Sequence, residues 1–342
     1  MHKTVFIAII LCLTLSALGY SQGKPHARPD TAREESLPVP KDDNIKDDNI
    51  RDPQPIAEQT PDAEFFTISK QVDEVNLILT VTDSKGRFVD NLSPDDLKLL
   101  DNHKSPGKWN YFQARTNLPL SVILAIDVSS SVRDRLPFEQ QAARVFFKQI
   151  MRKETDEAAI IAFGSSVQEK NKGMTHDVNV LDRTIHSLQA GGDTAMYDAI
   201  ILASHRLRAR RRGVVRPVVI LITDGDDTAS KASLQAAEEA AIRSEAAIFA
   251  LDANSIFEKH PKGRLVLDRL TRESGGFVLS ARENSDLKGA FRTIEKILRN
   301  QYALGYLPPD LEANGGFRSI NVTCNKRGLQ IHARNGYYAP VK

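Results

Sequence analysis

Only two cysteines occur in the 342 residues, Cys12 and Cys324. Cys12 lies inside an N-terminal apolar stretch that reads as a removable signal, which leaves Cys324 as the one mature thiol. A disulfide framework inside the chain is thereby excluded, although an oxidising compartment would permit one. Cys324 shares strand parity with Ile320 and Val322 and reads as a small buried hydrophobe, with a reactive thiol as the alternative. The eight histidines are scattered without metal-ligand spacing, so nothing indicates a zinc-type site. A net charge of +2 lacks the basic excess of a nucleic-acid binder. There is no Gly-x-Ser-x-Gly elbow, no His-Glu-x-x-His helix and no glycine-rich phosphate loop after a strand. The longest N-terminal apolar run, 5–18, is short for a membrane span.

That run follows His2 and Lys3, with the small residues Ala17, Gly19 and Ser21 at and just beyond its end, so residues 1–21 read as a secretory signal. The chain is expected to be secreted or periplasmic, and to meet a membrane only if the signal stays uncleaved. Residues 22–61 are rich in Pro, Asp, Glu and Lys, with the tandem repeat Lys41-Asp-Asp-Asn-Ile45 and Lys46-Asp-Asp-Asn-Ile50. Such a segment cannot bury enough apolar surface to fold and reads as a linker. Its Asp-Asp-Asn pairs lack the Gly and terminal Glu of an EF-hand loop.

Residues 62–116 read as a small β-rich module. Val75, Leu77, Leu79 and Val81 alternate with Asn76, Thr80 and Thr82, as in a half-buried strand. Asp83-Ser-Lys-Gly86 is a turn from which Phe88 and Val89 begin a return strand. Further strands are expected at 97–100 and 109–112. In residues 117–302, apolar strands at 120–126, 158–163, 218–223, 247–252 and 277–280 alternate with helices. One helix is expected to place Phe138, Ala142, Val145, Phe146 and Ile150 on a single buried face. Other helices are expected at 178–189, 194–211, 231–245, 263–274 and 286–301. This alternation predicts an α/β fold with a doubly wound, mostly parallel sheet. The tail, 303–342, turns β-like again, with strands at 319–324 and 330–333. Neither flank has a core of its own, so the two are expected to pair into one small β-sandwich-like module.

Three stretches carry chemistry. The first is the apolar run Leu120–Ile126 followed at once by Asp127-Val-Ser-Ser-Ser131. It places a carboxylate and two alternate hydroxyls, Ser129 and Ser131, at a strand's carboxyl end, where open α/β sheets bind ligands. The second is Gly191-Gly-Asp-Thr194, which brings the Thr194 hydroxyl to a helix start. The third is Thr223-Asp224-Gly-Asp-Asp227, which places Asp224 at another carboxyl end. Each has an ordinary alternative as a helix cap or an Asp-Gly turn. Together they offer three neutral hydroxyls and two carboxylates to one hard cation, Mg2+ or else Mn2+ or Ca2+. So few direct anionic contacts leave the ion short of an oxygen, which a partner protein's carboxylate can supply.

These stretches, in this order and strand context, resemble the metal-ion-dependent adhesion site (MIDAS) of von Willebrand factor type A (VWA) domains. The resemblance implies a Rossmann-like sheet with a divalent cation at its top. It also implies Ser129, Ser131 and Thr194 as direct or nearly direct ligands, with Asp127 and Asp224 often acting through water. Asp193 is inserted relative to the commoner Gly-Gly-Thr loop and is itself a candidate ligand. Asp226 and Asp227 read as a solvated acidic loop. The β-rich leader and the ending Asn335-Gly-Tyr-Tyr-Ala-Pro340 resemble secreted bacterial VWA-related proteins, a type common in acidobacteria.

The expectation is a non-enzymatic, metal-dependent binding or adhesion module. A metal-dependent hydrolase is the first rival, but a haloacid-dehalogenase-like phosphatase needs a second Asp where Ser129 stands. A structural module with a vestigial metal site is the second. Arg206-Leu-Arg-Ala-Arg-Arg-Arg212 reads as a cationic helix end, with polyanion binding as the alternative. Asn321-Val-Thr323 fits a glycosylation acceptor on an outward strand face.

Overall fold

The computed structural model describes residues 74–341 except 115–117, 210–214, 254–260 and 282–283. The expected signal and linker lie outside the described residues. All of the described residues belong to one compact unit, Ile68–Lys342.

The chain opens with β1 (Val75–Thr82), β2 (Leu97–Asp101) and β3 (Trp109–Ala114). It then enters the alternating region through β4 (Leu120–Asp127), α1 (Leu136–Ile150), β5 (Glu157–Phe163) and β6 (Val167–Glu169). Next come α2 (Val178–His186), α3 (Met196–Ala209), β7 (Arg216–Thr223), α4 (Leu234–Ser244) and β8 (Ala247–Asp252). The region closes with α5 (Pro261–Ser274), β9 (Val278–Ser280) and α6 (Asn284–Leu298). The tail supplies β10 (Tyr302–Tyr306), β11 (Phe317–Cys324), β12 (Gln330–Ala333) and β13 (Gly336–Tyr338).

The central sheet has the order β6-β5-β4-β7-β8-β9, parallel except for the three-residue edge strand β6. All eight residues of β4 and all eight of β7 are buried. Such strands need cover on both faces, which explains their nearly unbroken apolar sequence. Val122, Leu124 and Ile126 point into a core completed by α1, α2 and α6. Ile123 and Ala125 point the other way, into a core completed by α3, α4 and α5. The chain leaves β4 toward β5 on one side and returns later to β7 on the other. The carboxyl ends of β4 and β7 therefore flank the point where the winding reverses, the usual crevice for a ligand.

The flanks form a second body of two antiparallel sheets, β12-β1-β10-β3 and β13-β11-β2. Both contribute to one apolar core, including Leu77, Leu79, Leu99, Tyr302, Leu304, Tyr306 and Ile320. Each sheet joins strands from before and after the α/β region, so neither flank closes this core alone. Among its partners is a fully buried carboxylate, Asp101. It accepts from the hydroxyls of Tyr306 and Tyr337, at 2.9 Å each, and from Nε of Arg318 at 2.9 Å. The ending 335–340 is part of this packing. Asn335 Nδ2 donates to Glu273 of α5, and the Arg243 guanidinium of α4 lies 3.7 Å from the Tyr338 ring centre.

The structure departs from several expectations. In α1 the buried face is Leu136, Glu139, Ala142, Ala143, Phe146, Phe147 and Ile150, whereas Phe138 and Val145 are exposed. Residues 88–89 make only an isolated bridge, Thr82 to Phe88. The Tyr302 hydroxyl donates to the Val89 carbonyl and accepts from the Leu92 amide, so a side chain substitutes for a longer strand ladder. Thr80 and Thr82 of β1 are buried rather than outward, and Thr80 Oγ1 accepts from Gln301 Nε2 at 2.7 Å. The tail's first strand, β10, begins at Tyr302 and runs between β1 and β3. Cys324 is free and half-buried at the edge of the sandwich core. Asn321 and Thr323 are both exposed.

Candidate metal centre

The parallel register sets Ile126 opposite Ile222, so Asp127 and Thr223 end adjacent strands at the same level. Asp127 is 1% exposed, and both of its carboxylate oxygens have protein donors. Oδ1 accepts from the Ser129 amide at 2.8 Å, and Oδ2 accepts from the Thr223 hydroxyl at 3.0 Å. Beyond the strand the chain turns so that the hydroxyls of Ser129 and Ser131 lie 2.9 Å apart. Ser129 is buried, while Ser131 is exposed.

The Gly191–Thr194 loop is tied to this turn from one side. The Gly191 amide donates to the Val128 carbonyl at 2.7 Å. The Ser130 amide donates to the Gly192 carbonyl at 2.9 Å, and the Gly192 amide returns to Ser130 Oγ at 3.0 Å. Gly192 sits at φ +87°, and a Cβ there would lie 2.4 Å from Ser165 Oγ. Only glycine suits both the left-handed backbone and the close approach. The same loop is tied from the other side to Thr228 and Ala229, which follow directly on the third stretch. The Thr194 amide donates to Thr228 Oγ1 at 3.0 Å, and the Thr194 carbonyl accepts from the amides of Thr228 and Ala229 at 2.9 Å each. The three separate stretches therefore meet over one rim of the sheet.

Each named residue has a definite place there. Ser129, Ser131 and Asp127 sit on the first turn. Thr194, 7% exposed, lies between the first and third stretches. Asp224 is half-buried, and its Oδ1 accepts from the Asp226 amide at 3.1 Å. Asp193 is turned to its own neighbour, with Oδ2 accepting from Ser165 Oγ at 3.2 Å. Asp227 differs from the expected solvated loop. Its Oδ1 accepts from the Tyr197 amide at 3.1 Å and from Ser230 Oγ at 2.6 Å. It thereby satisfies one of the amides that the start of α3 leaves without an intrahelical partner.

Electrostatics add a residue that the sequence reading missed. Burial pushes the Asp127 carboxyl above its ordinary range. The donors from Ser129 and Thr223 pull it back, and the charge of Asp224 adds to the rise. Glu139, on the inner face of α1, is 3% exposed, and its Oε2 has no hydrogen-bond partner among the described residues. Burial pushes it up to about 7, against the opposing charge of Arg135, and the charges of Asp127 and Asp224 push the same way as burial. An acidic residue in a helix's first turn reads as a dipole partner facing solvent, so nothing in the sequence marks Glu139 as buried beside the site.

Among the described residues no group of three or more His, Cys, Asp or Glu is placed to hold a metal. A cation here would rely on hydroxyls, and the oxygen-only donor set fits a hard divalent ion.

Residues 122–226, which span all three stretches, match the sequence profile of the von Willebrand factor type A domain family. The chain carries a von Willebrand factor type A domain. No curated protein matches it. Among solved structures, the VWA-bearing chain is similar to the PilB minor pilin from Streptococcus sanguinis, at 14% identity and TM-score 0.46. That match covers 54% of this chain and 62% of the pilin, so the chain spans less than two thirds of the pilin's length. It is also similar to a von Willebrand factor type A protein from Catenulispora acidiphila, at 13% identity and TM-score 0.45, covering 80% of this chain and 75% of that one. A third similarity is to the vWF domain of the type V pili tip protein Mfa5 from Porphyromonas gingivalis, at 13% identity and TM-score 0.44. It covers 54% of this chain and 96% of that one. Among the described residues, no helix of the VWA domain or of its flanks is long and apolar enough to cross a membrane.

Proposed function

We propose that this chain is an extracytoplasmic binding module whose VWA domain uses a MIDAS-type divalent cation to take an acidic group of a partner protein. The observation that carries the reading is that each Asp127 oxygen accepts a protein donor, the Ser129 amide on one and the Thr223 hydroxyl on the other, beside the paired hydroxyls of Ser129 and Ser131. With both oxygens already engaged, Asp127 supplies charge and fixes the turn, while neutral hydroxyls provide the near contacts. Ser129, Ser131 and Thr194 would hold the ion, and Asp127 and Asp224 would balance its charge. A hard divalent cation bound there supplies an electrophilic position that an outside carboxylate oxygen can complete. Mg2+ is the first choice, with Mn2+ and Ca2+ as alternatives. The extracytoplasmic placement rests on the sequence of residues 1–21.

Thermal melting with Mg2+ and with EDTA, on the wild type and on Asp127→Ala, tests the site. At a hundredfold excess over Kd, binding to the folded state adds about 2.7 kcal/mol. The wild type alone should show that metal-linked rise in Tm. A partner captured with Mg2+ should then be released by EDTA. Equal melting in both conditions contradicts metal binding. Metal binding with EDTA-insensitive capture contradicts the role of the ion in recognition.

A further inference from the structure

Tyr111 of β3, Gly305 of β10 and Asn76 of β1 stand in one row across the first sandwich sheet, each opposite the next. The glycine leaves a gap in that row, and the Tyr111 ring fills it. A Cβ on Gly305 would lie 2.3 Å from ring atom Cε1 and 2.8 Å from Cδ1, so only glycine admits the ring. The Tyr111 hydroxyl reaches on to donate to Asn76 Oδ1 at 2.6 Å. The ring is thereby laid across β10 and pinned at its far end. Covering a strand glycine with an aromatic ring is an ordinary structural device, and it accounts for the covered side of Tyr111. The other side is open, and the residue is 38% exposed.

Tyr111 lines a cavity of about 700 Å3 between this sheet and the amino ends of the central strands. That volume is within the range of small-molecule sites, roughly 300–1,000 Å3. Arg216 on its wall precedes Thr223 by seven residues of β7, so at about 3.3 Å per residue the metal centre is roughly 23 Å away. The cavity's charged side chains are Glu74, Glu245, Arg216 and Arg334, two of each sign, and Glu245 holds Arg334 at 3.0 Å. An ionic ligand would meet no net charge to neutralise. Ile78, Leu118, Pro217 and Ala303 add apolar wall. Beside the aromatic plate stand two exposed amides, Asn76 at its hydroxyl end and Gln113 two residues along β3 on the same face. A side-chain amide both donates and accepts, as does a hydroxyl. The negative face of an aromatic ring favours the weakly positive hydrogens of C–H groups. These features together suit an uncharged body with one flat C–H face and a rim of hydroxyls. A pyranose ring has that form, and a plate already fixed by Gly305 and Asn76 loses little freedom on receiving it.

We propose that this cavity binds a neutral saccharide, with one pyranose ring stacked on Tyr111 and its hydroxyls on the amides of Asn76 and Gln113. The site is separate from the metal centre and needs no cation.

The test is titration of the full chain in EDTA with cellobiose, maltose and N,N′-diacetylchitobiose, followed by calorimetry, with adenosine as a stacking ligand that is not a sugar. At least one disaccharide should bind with Kd below about 10 mM, and more tightly than adenosine does. Tyr111→Ala should weaken that binding roughly tenfold, whereas Tyr111→Phe, which keeps the ring, should stay within about threefold of the wild type. Gln113→Ala, at an exposed β3 position, should weaken it about threefold while keeping the fold. The proposal is overturned if all three disaccharides fail to bind, if adenosine binds more tightly than each of them, or if a folded Tyr111→Ala binds as the wild type does. Should Tyr111→Ala fail to fold, full affinity in Gln113→Ala overturns it.

Discussion

The hydroxyl of Thr223 donates to Oδ2 of Asp127 across two adjacent parallel strands, at 3.0 Å and out of reach of water. The bond links two of the three stretches below the rim and leaves the Ser129–Ser131 hydroxyl pair above it. Thr223→Val keeps the shape and removes the donor. A hydrogen bond to a charged group contributes about 1.5–3 kcal/mol, so metal affinity should fall about tenfold or more. Calorimetric titration with Mg2+ checks this, and an unchanged Kd would show that Asp127 needs no such orientation.

Glu139 sets a pH dependence whose sign follows from burial. Its carboxyl is raised from 4.5 to about 7 in the folded protein, so folding favours the protonated form. The stabilisation from this group is complete below about pH 4.5 and is lost as pH rises through about 7. The total is on the order of 3 kcal/mol. Glu139→Gln removes the titration without changing the shape. In EDTA, urea unfolding of both proteins from pH 4.5 to 8 should show the variant gaining on the wild type as pH rises. A constant difference across that range would place Glu139 in contact with water.

Asp101 is the polar hub of the sandwich. Asp101→Ala strands the Arg318 guanidinium and two tyrosine hydroxyls in an apolar core. Breaking a buried pair from one side costs about 3–5 kcal/mol. Tyr337→Phe removes a single bond and should cost about 1 kcal/mol. Urea midpoints of the two variants distinguish a hub from a set of independent contacts.

Gly225 is at φ +87°, and a Cβ there would lie 2.4 Å from the Gly263 carbonyl oxygen. Gly225→Ala should displace the Asp224 turn and abolish the Mg2+-dependent rise in Tm. Gly86 is also left-handed, at φ +71°, but its Cβ would meet open space. Gly86→Ala should cost only the left-handed backbone penalty, about 1–2 kcal/mol, and keep the metal response.

What the sequence discloses follows from what surrounds each residue. β4 and β7 are buried on both faces, so their apolar runs announce them, and the polar residues that end those runs mark the rim. The flanks read as incomplete because each lacks a core, and the sheets unite them. The inner face of α1 was hidden because Phe138 and Phe147 both suit a helical stripe, and only packing against α6 and the sheet chooses between them. Glu139 was lost with that choice. β10 follows α6 closely and contains Gly305, so its alternation is faint until β1 and β3 flank it. Arg216 comes soon after the arginine-rich run 206–212, and nothing local in the sequence separates it from that run.

The central claim is that Ser129, Ser131 and Thr194 share one cation over the ends of β4 and β7. Crystals soaked in Mn2+ and measured for anomalous scattering test it most directly. The account predicts a single strong peak bounded by those three hydroxyls, with Asp127 and Asp224 behind them and one position open to solvent. An absence of signal at that rim under millimolar Mn2+, or a peak held elsewhere on the VWA domain, would contradict it.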